Sequence, residues 1–335
     1  MRKLLWVVLA VAALWGGYWF VGANTLDRQT AAWFDAAAIN GLVATHDSIS
    51  VAGFPNRFDL TVEGVNIADP VSGWGWKAPF FQLLTMTWKP WHIIAALPHD
   101  QVIVTPDQSI TITTDRLMAS LQMHPRAGLG LYETRLEGAK LGLTSDLGWT
   151  VAVEKLFAST LEDATNPNLQ RIGLTLDNLS PDPAVMAALA TTDLPALIET
   201  MHLDTTARFT APILMSAGEV PPLLTALDVK DARIIWGALS LTAAGGLTAG
   251  SDGVAAGTIT IRIDGWRRLP AVIAAMGWIS PQMAPNIERG LEVMAKAGPD
   301  PDILEVLLVC ADGRMSLGPF PLGPAPQFFT VAKGA

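Results

Sequence analysis

The chain has 335 residues, 50% of them hydrophobic and only 16% charged, with a formal net charge of −9. That is ample apolar material for a packed core and too much for a disordered chain. An acidic balance also lacks the basic footprint that phosphate backbones demand, so nucleic acid is not expected as a partner.

The chain opens Met1-Arg2-Lys3, and an uncharged stretch then starts at Leu4 and closes at Ala23. Twenty helical residues at 1.5 Å each reach about 30 Å, the hydrocarbon thickness of a bilayer. Residues 1–23 therefore read as an N-terminal membrane anchor crossing once. Trp6, Trp15, Tyr18 and Trp19 supply rings of the kind that settle at membrane interfaces. Arg2 and Lys3 hold the N-terminus on the cytoplasmic side and send the bulk of the chain across. Val21-Gly22-Ala23 also fits a signal-cleavage site. The apolar stretch exceeds the roughly 7–15 residues of a signal core, which favours a retained anchor.

Residues 24–45 read as a juxtamembrane helix, with Leu26, Trp33, Phe34 and the alanines 36–38 ahead of Gly41. From residue 46 the period becomes two. Phe58-Asp59-Leu60-Thr61-Val62-Glu63 alternates apolar and polar, as do segments at Ile110-Thr111-Ile112-Thr113, 172–176, 239–242 and 258–264. Such alternation marks antiparallel strands with one apolar face. Gly245-Gly246, Asp252-Gly253 and Asp312-Gly313 are expected to turn between strands. Short helices are expected after Asp182-Pro183, near Leu194-Pro195, over 269–276, and from Ser280-Pro281 to Ala297. The fold class that follows is α+β and predominantly antiparallel β. It is a long curved or sandwich-like sheet with several short helices, behind one transmembrane helix. Residues 46–335 form the β-rich domain, with any division into two lobes expected near 180–200.

Chemistry is harder to find. No nucleophile elbow, P-loop, dinucleotide fingerprint, zinc-protease helix or calcium loop occurs, so neither catalytic residues nor a cofactor are assigned. His46, His92, His99, His124 and His202 lie too far apart for metal-ligand spacing, and no metal is expected. Cys310, the single cysteine, sits in an apolar run and reads as a buried thiol. Asp59 and Glu63 share the polar face of one strand and read as solvated. Arg267-Arg268 reads as a surface pair. Trp74, Trp76, Trp88 and Trp91 cluster with Phe80 and Phe81, as sheet packing or as a membrane-facing surface. The proline-dense stretch 318–326 closes a sheet or offers a ligand for an aromatic groove.

Several segments together resemble a known family. They are the anchor, Gly53-Phe54-Pro55 with Arg57-Phe58, Trp88-Lys89-Pro90, the run from Leu239 to Trp266, and the glycine-proline pattern from Leu317 to Pro326. The likeness is to an uncharacterised alphaproteobacterial family of single-anchor envelope proteins, a domain of unknown function. The stretch Leu239 to Ile261 is also similar to segments of AsmA-like proteins, whose long sheets present an apolar face and are linked to outer-membrane lipid homeostasis. With the anchor, the resemblance implies a bacterial inner-membrane protein with its bulk in the periplasm and an envelope role, and the family supplies no catalytic residues to carry over. Candidate partners are the inner membrane, phospholipid and another envelope protein. Leu60, Val62, Ile110, Ile112, Ile259 and Ile261 would line either a lipid groove or an ordinary core.

Overall fold

The computed structural model describes residues 2–125, 128–215 and 221–330. Its strands pair antiparallel throughout and make up a large sheet of 18 strands. The chain divides into two compact units, residues 1–125 with 136–148, and residues 126–135 with 149–335.

The first unit begins with α1 (Arg2–Ile39), one uninterrupted helix of 38 residues. It is long and apolar enough to cross a membrane. The expected change of segment at residue 23 does not occur, and the helix stops short of residue 45. Gly41 ends it at φ 90°, where the Gly41 and Leu42 amides close back onto the Ala38 and Ala37 carbonyls. Residues 43–45 are already a strand. The strands here are β1 (Val43–Thr45), β2 (Ser48–Ala52), β3 (Arg57–Asp69), β4 (Trp74–Met86), β5 (Lys89–Leu97), β6 (Asp100–Val104), β7 (Ser109–Thr113), β8 (Arg116–Met123) and the later part of β9 (Leu131–Ser145).

One side-chain stripe of α1 recurs every three or four residues: Trp15, Trp19, Ala23, Leu26, Thr30, Phe34 and Ala37. Phe34 and Ala37 pack on Ala44, Leu60, Val62 and Val65, while Trp19 and Ala23 pack on Phe58. Alternation along β3 slips by one at Gly64 (φ 62°), so that Leu60, Val62, Val65 and Ile67 all join one cluster. Gly64 sits at a positive φ that glycine favours, and a Cβ there would lie 2.1 Å from the Asp47 carboxylate, which would have to swing away.

The second unit holds β10 (Thr150–Glu162), β11 (Leu169–Ser180), α2 (Pro183–Ala188), β12 (Ile198–Phe209), β13 (Leu224–Trp236), β14 (Leu239–Ala249), β15 (Ala255–Asp264), α3 (Leu269–Ala275), α4 (Ala284–Lys296), β16 (Ile303–Ala311), β17 (Arg314–Leu317) and β18 (Phe320–Pro324). Asp182 caps α2 through the Ala184 amide, as expected. Residues 180–200 do not separate lobes. Val185, Met186 and Leu189 of this stretch pack with Trp236 and Trp266 inside the unit's main core. No helix forms near Leu194, because the Trp236 indole donates to the Pro195 carbonyl at 2.7 Å and pins that segment as a loop. Gly245-Gly246 does not turn either. Both residues lie within β14, where a Cβ on Gly245 would come 2.3 Å from the Thr258 carbonyl. Asp252-Gly253 and Asp312-Gly313 do link strands, the latter pair both at positive φ.

Candidate functional site

The six sequence candidates fall into three pairs. Leu60 and Val62 are 2% and 0% exposed beneath α1. Val62 is core and nothing else. Ile110 and Ile112 are half-buried on β7, opposite Ile103 and Gln101 of β6. In the second unit Ile259 and Ile261 are half-buried on β15, with Leu308 and Val306 beside them on β16.

Leu60 also borders open space. Between α1 and the sheet lies an apolar cleft of about 330 Å³, lined by Trp33, Phe34, Leu60, Ile67, Trp76, Phe81 and Leu83. Gln29 and Thr30 are its polar members. The volume falls at the lower end of the roughly 300–1,000 Å³ typical of ligand sites, which are themselves mostly apolar with few polar groups. The chain builds it by laying a single helix across a wider sheet. Trp33 stays half exposed, and its ring meets Phe34 edge-on at 5.0 Å. The Trp76 indole donates to Gln101 Oε1 at 2.7 Å, fixing that ring in the wall.

The apolar face of the second unit is partly open. Across it, paired residues share one side: Leu174, Leu203, Ala232, Ala243, Ile261 and Val306 run in one row. One end is covered by α2, α3 and α4 around Trp236, Trp266 and Leu304. Elsewhere on the same sheet, Gln170 is 2% exposed and neither of its side-chain polar atoms is hydrogen-bonded. A buried amide in that state calls for a polar guest or an ordered water.

Among the described residues no group of three or more His, Cys, Asp or Glu gathers as metal ligands would. His99 Nδ1 meets the Thr114 carbonyl at 2.7 Å and His202 Nδ1 meets Thr175 Oγ1 at 3.1 Å. Asp59 pairs with Arg57, and Glu63 accepts from Ser48. The perturbed carboxyls Asp69, Asp115, Asp163, Asp182, Asp204 and Glu292 are all pulled below the usual range by hydrogen-bond donors. None of these is poised as a general acid near neutral pH. Cys310 is buried. Arg267 pairs with Asp302 and lies over the Trp266 ring, and Arg268 faces Asp193. The walls of the cleft are apolar apart from Gln29 and Thr30, and none of its lining residues is an acid, a base or a cysteine.

Sequence reasoning missed Gln29, Thr30 and Trp33. The signal was present: residues 26–37 continue the three-and-four spacing of the anchor's aromatics, so one helical face is committed to the sheet. No curated protein and no solved structure matches the chain. Residues 19–326 match the family described as an uncharacterized protein conserved in bacteria (DUF2125), and the chain belongs to that family.

Proposed function

We propose that this is a single-pass protein of the bacterial inner membrane, with a cytoplasmic N-terminus and a periplasmic bulk, that handles lipid in envelope maintenance. The apolar cleft under α1 carries the reading. It is formed by the helix that enters the bilayer and lies a few turns beyond residues 4–23, so a chain leaving the membrane meets apolar walls directly. Arg2 and Lys3 support the orientation. The half-open face bearing Ile259 and Ile261 favours the same class of ligand.

The test is native mass spectrometry with lipid extraction on the full chain in detergent, comparing Trp33→Glu with an Ile259→Glu/Ile261→Glu double variant. Phospholipid or fatty acid retained at fixed stoichiometry and lost in Trp33→Glu supports the cleft. Loss only in the double variant moves the ligand to the second unit. A folded chain free of lipid sinks the reading. One observation favours an accessory subunit instead: all five residues of β18 are exposed, Phe320 and Leu322 among them. Crosslinking at that strand would then seek a protein partner.

A further inference from the structure

We propose that the loop 53–56 and the turn 86–89 form a collar beside α1 that beds in the interfacial layer of the bilayer. The inference rests on the anchor reading above. It starts from a shortfall in length. The stripe of α1 that contacts the sheet begins at Trp15, and residues 2–14 alone rise about 20 Å. The hydrocarbon layer is about 30 Å thick. A span over residues 4–23 therefore carries residues 15–23, nearly half its length, alongside protein, and that protein is the collar.

The collar has the surface such a position requires. Phe54 and Trp88, at the two tips, are 57% and 54% exposed, and Phe20 on the adjoining helix face is 64% exposed. Phe20 and Phe54 lie 5.6 Å apart, and Trp19 meets Phe54 edge-on at 5.4 Å. Met86 and Val21 are exposed as well. Large apolar side chains gathered at one place on a folded surface mark an interaction site. Here the patch is continuous with a helix apolar enough to cross a membrane. Aromatic rings and basic groups favour the membrane–water boundary, and Arg57 and Lys89 follow the two tips.

The backbone of the collar is equally suited to a dry setting. Irregular backbone at membrane depth is tolerated only where its polar groups are satisfied by protein. The Trp15 indole donates to the Pro55 carbonyl at 3.0 Å, Trp19 to Arg57 at 2.6 Å, and the Tyr18 hydroxyl to Thr87 at 3.0 Å. Thr87, itself buried, donates its amide and its hydroxyl to the Asn56 carbonyl. The Asn56 and Arg57 amides turn back onto Gly53. The helix aromatics thus supply the donors that water would supply to a loop in solution.

The test uses the full chain in vesicles of phosphatidylethanolamine and phosphatidylglycerol. Asn56→Cys and Met86→Cys carry an environment-sensitive label and leave every collar aromatic in place. Val71→Cys, in the turn at the other end of the β3–β4 hairpin, is the water reference, and the native cysteine is buried. Labels at 56 and 86 should be protected from aqueous iodide several-fold relative to 71, and quenched by lipids brominated near the headgroup. Adding Phe54→Asp and Trp88→Asp should return both labels to water while the chain still floats with the vesicles. A chain that floats with all three labels equally open to iodide overturns the collar and leaves the anchor standing. A chain that does not float removes both.

Discussion

The two units cover the apolar face of an antiparallel sheet in different ways. In the first, one long helix lies across β1–β3 and leaves a cleft of about 330 Å³ beside it. In the second, three short helices close over one end of the face, with Trp266 1% exposed and its indole donating to the Pro301 carbonyl. A helix held by one stripe has a flank on each side that packing does not fill, and the sheet is wider than the stripe. Short helices at varied angles fill such flanks and seal the core. The first cover is therefore the one with room for a ligand, and the second is the one that holds a fold together.

The largest effect expected from this contrast is in the sealed core. Trp266→Ala removes a buried indole among Trp236, Val272, Leu291 and Leu304 and should cost about 3–5 kcal/mol in unfolding free energy. Trp33→Ala, at the edge of the open cleft, should cost under about 1 kcal/mol, as half-exposed positions do. Denaturant unfolding of both variants checks the pair. Equal damage from the two would erase the distinction between sealed and open covers.

A smaller effect tests how closely α1 sits on its sheet. A Cβ on Gly22 would lie 2.5 Å from the Phe58 ring, whereas one on Gly17 meets nothing within 4 Å. Gly22→Leu should destabilise the first unit by about 1–3 kcal/mol through overpacking, and Gly17→Leu should be close to neutral. Hydrogen exchange of the β2 and β3 amides in detergent reads the difference. Two variants with the same exchange rates would show that the helix does not rest on Phe58. Cleavage after Ala23 would strip Trp19 and Ala23 from the Phe58 cluster.

Much of this was legible in the sequence where one rule acted alone. The strands at 58–63, 110–113, 172–176, 239–242 and 258–264 all form, because alternation needs only a sheet with two unlike faces. Asp182-Pro183 opens α2 for equally local reasons. What failed depended on distant partners. Leu194-Pro195 carries a helix-start signal, yet the indole of Trp236, 41 residues away, claims the Pro195 carbonyl. Gly245-Gly246 has turn chemistry, and close approach of β15 uses it inside a strand instead. Trp15, Tyr18 and Trp19 also donate to the Pro55, Thr87 and Arg57 carbonyls, partners that no local pattern names. The helical face over residues 26–37 was legible from its spacing, but the cleft beside it is a flank between two elements, and no residue pattern encodes a space.

The smallest effect separates the two covers by pH. Asp182 caps α2 in the second unit, and hydrogen bonds from the Thr150 amide first, then the Ala184 amide, hold its carboxyl below the usual carboxylate range. A carboxyl whose pKa is lowered by folding stabilises the folded state above its unfolded value, about 3.9, and that stabilisation is lost as pH falls through the folded value. Acidification should therefore loosen α2 while α1, which has no acidic residue in its first turn, gives no matching response. Amide exchange over residues 184–189, corrected for the intrinsic rate, should rise as pH drops from about 5.5 to below about 3.5. Asp182→Asn should raise exchange at the upper pH and flatten the profile, because its side chain carries no charge to lose. A wild-type profile as flat as the variant's would mean that the Thr150 and Ala184 bonds do not hold the cap, and that packing on Trp236 and Trp266 alone keeps the second cover in place.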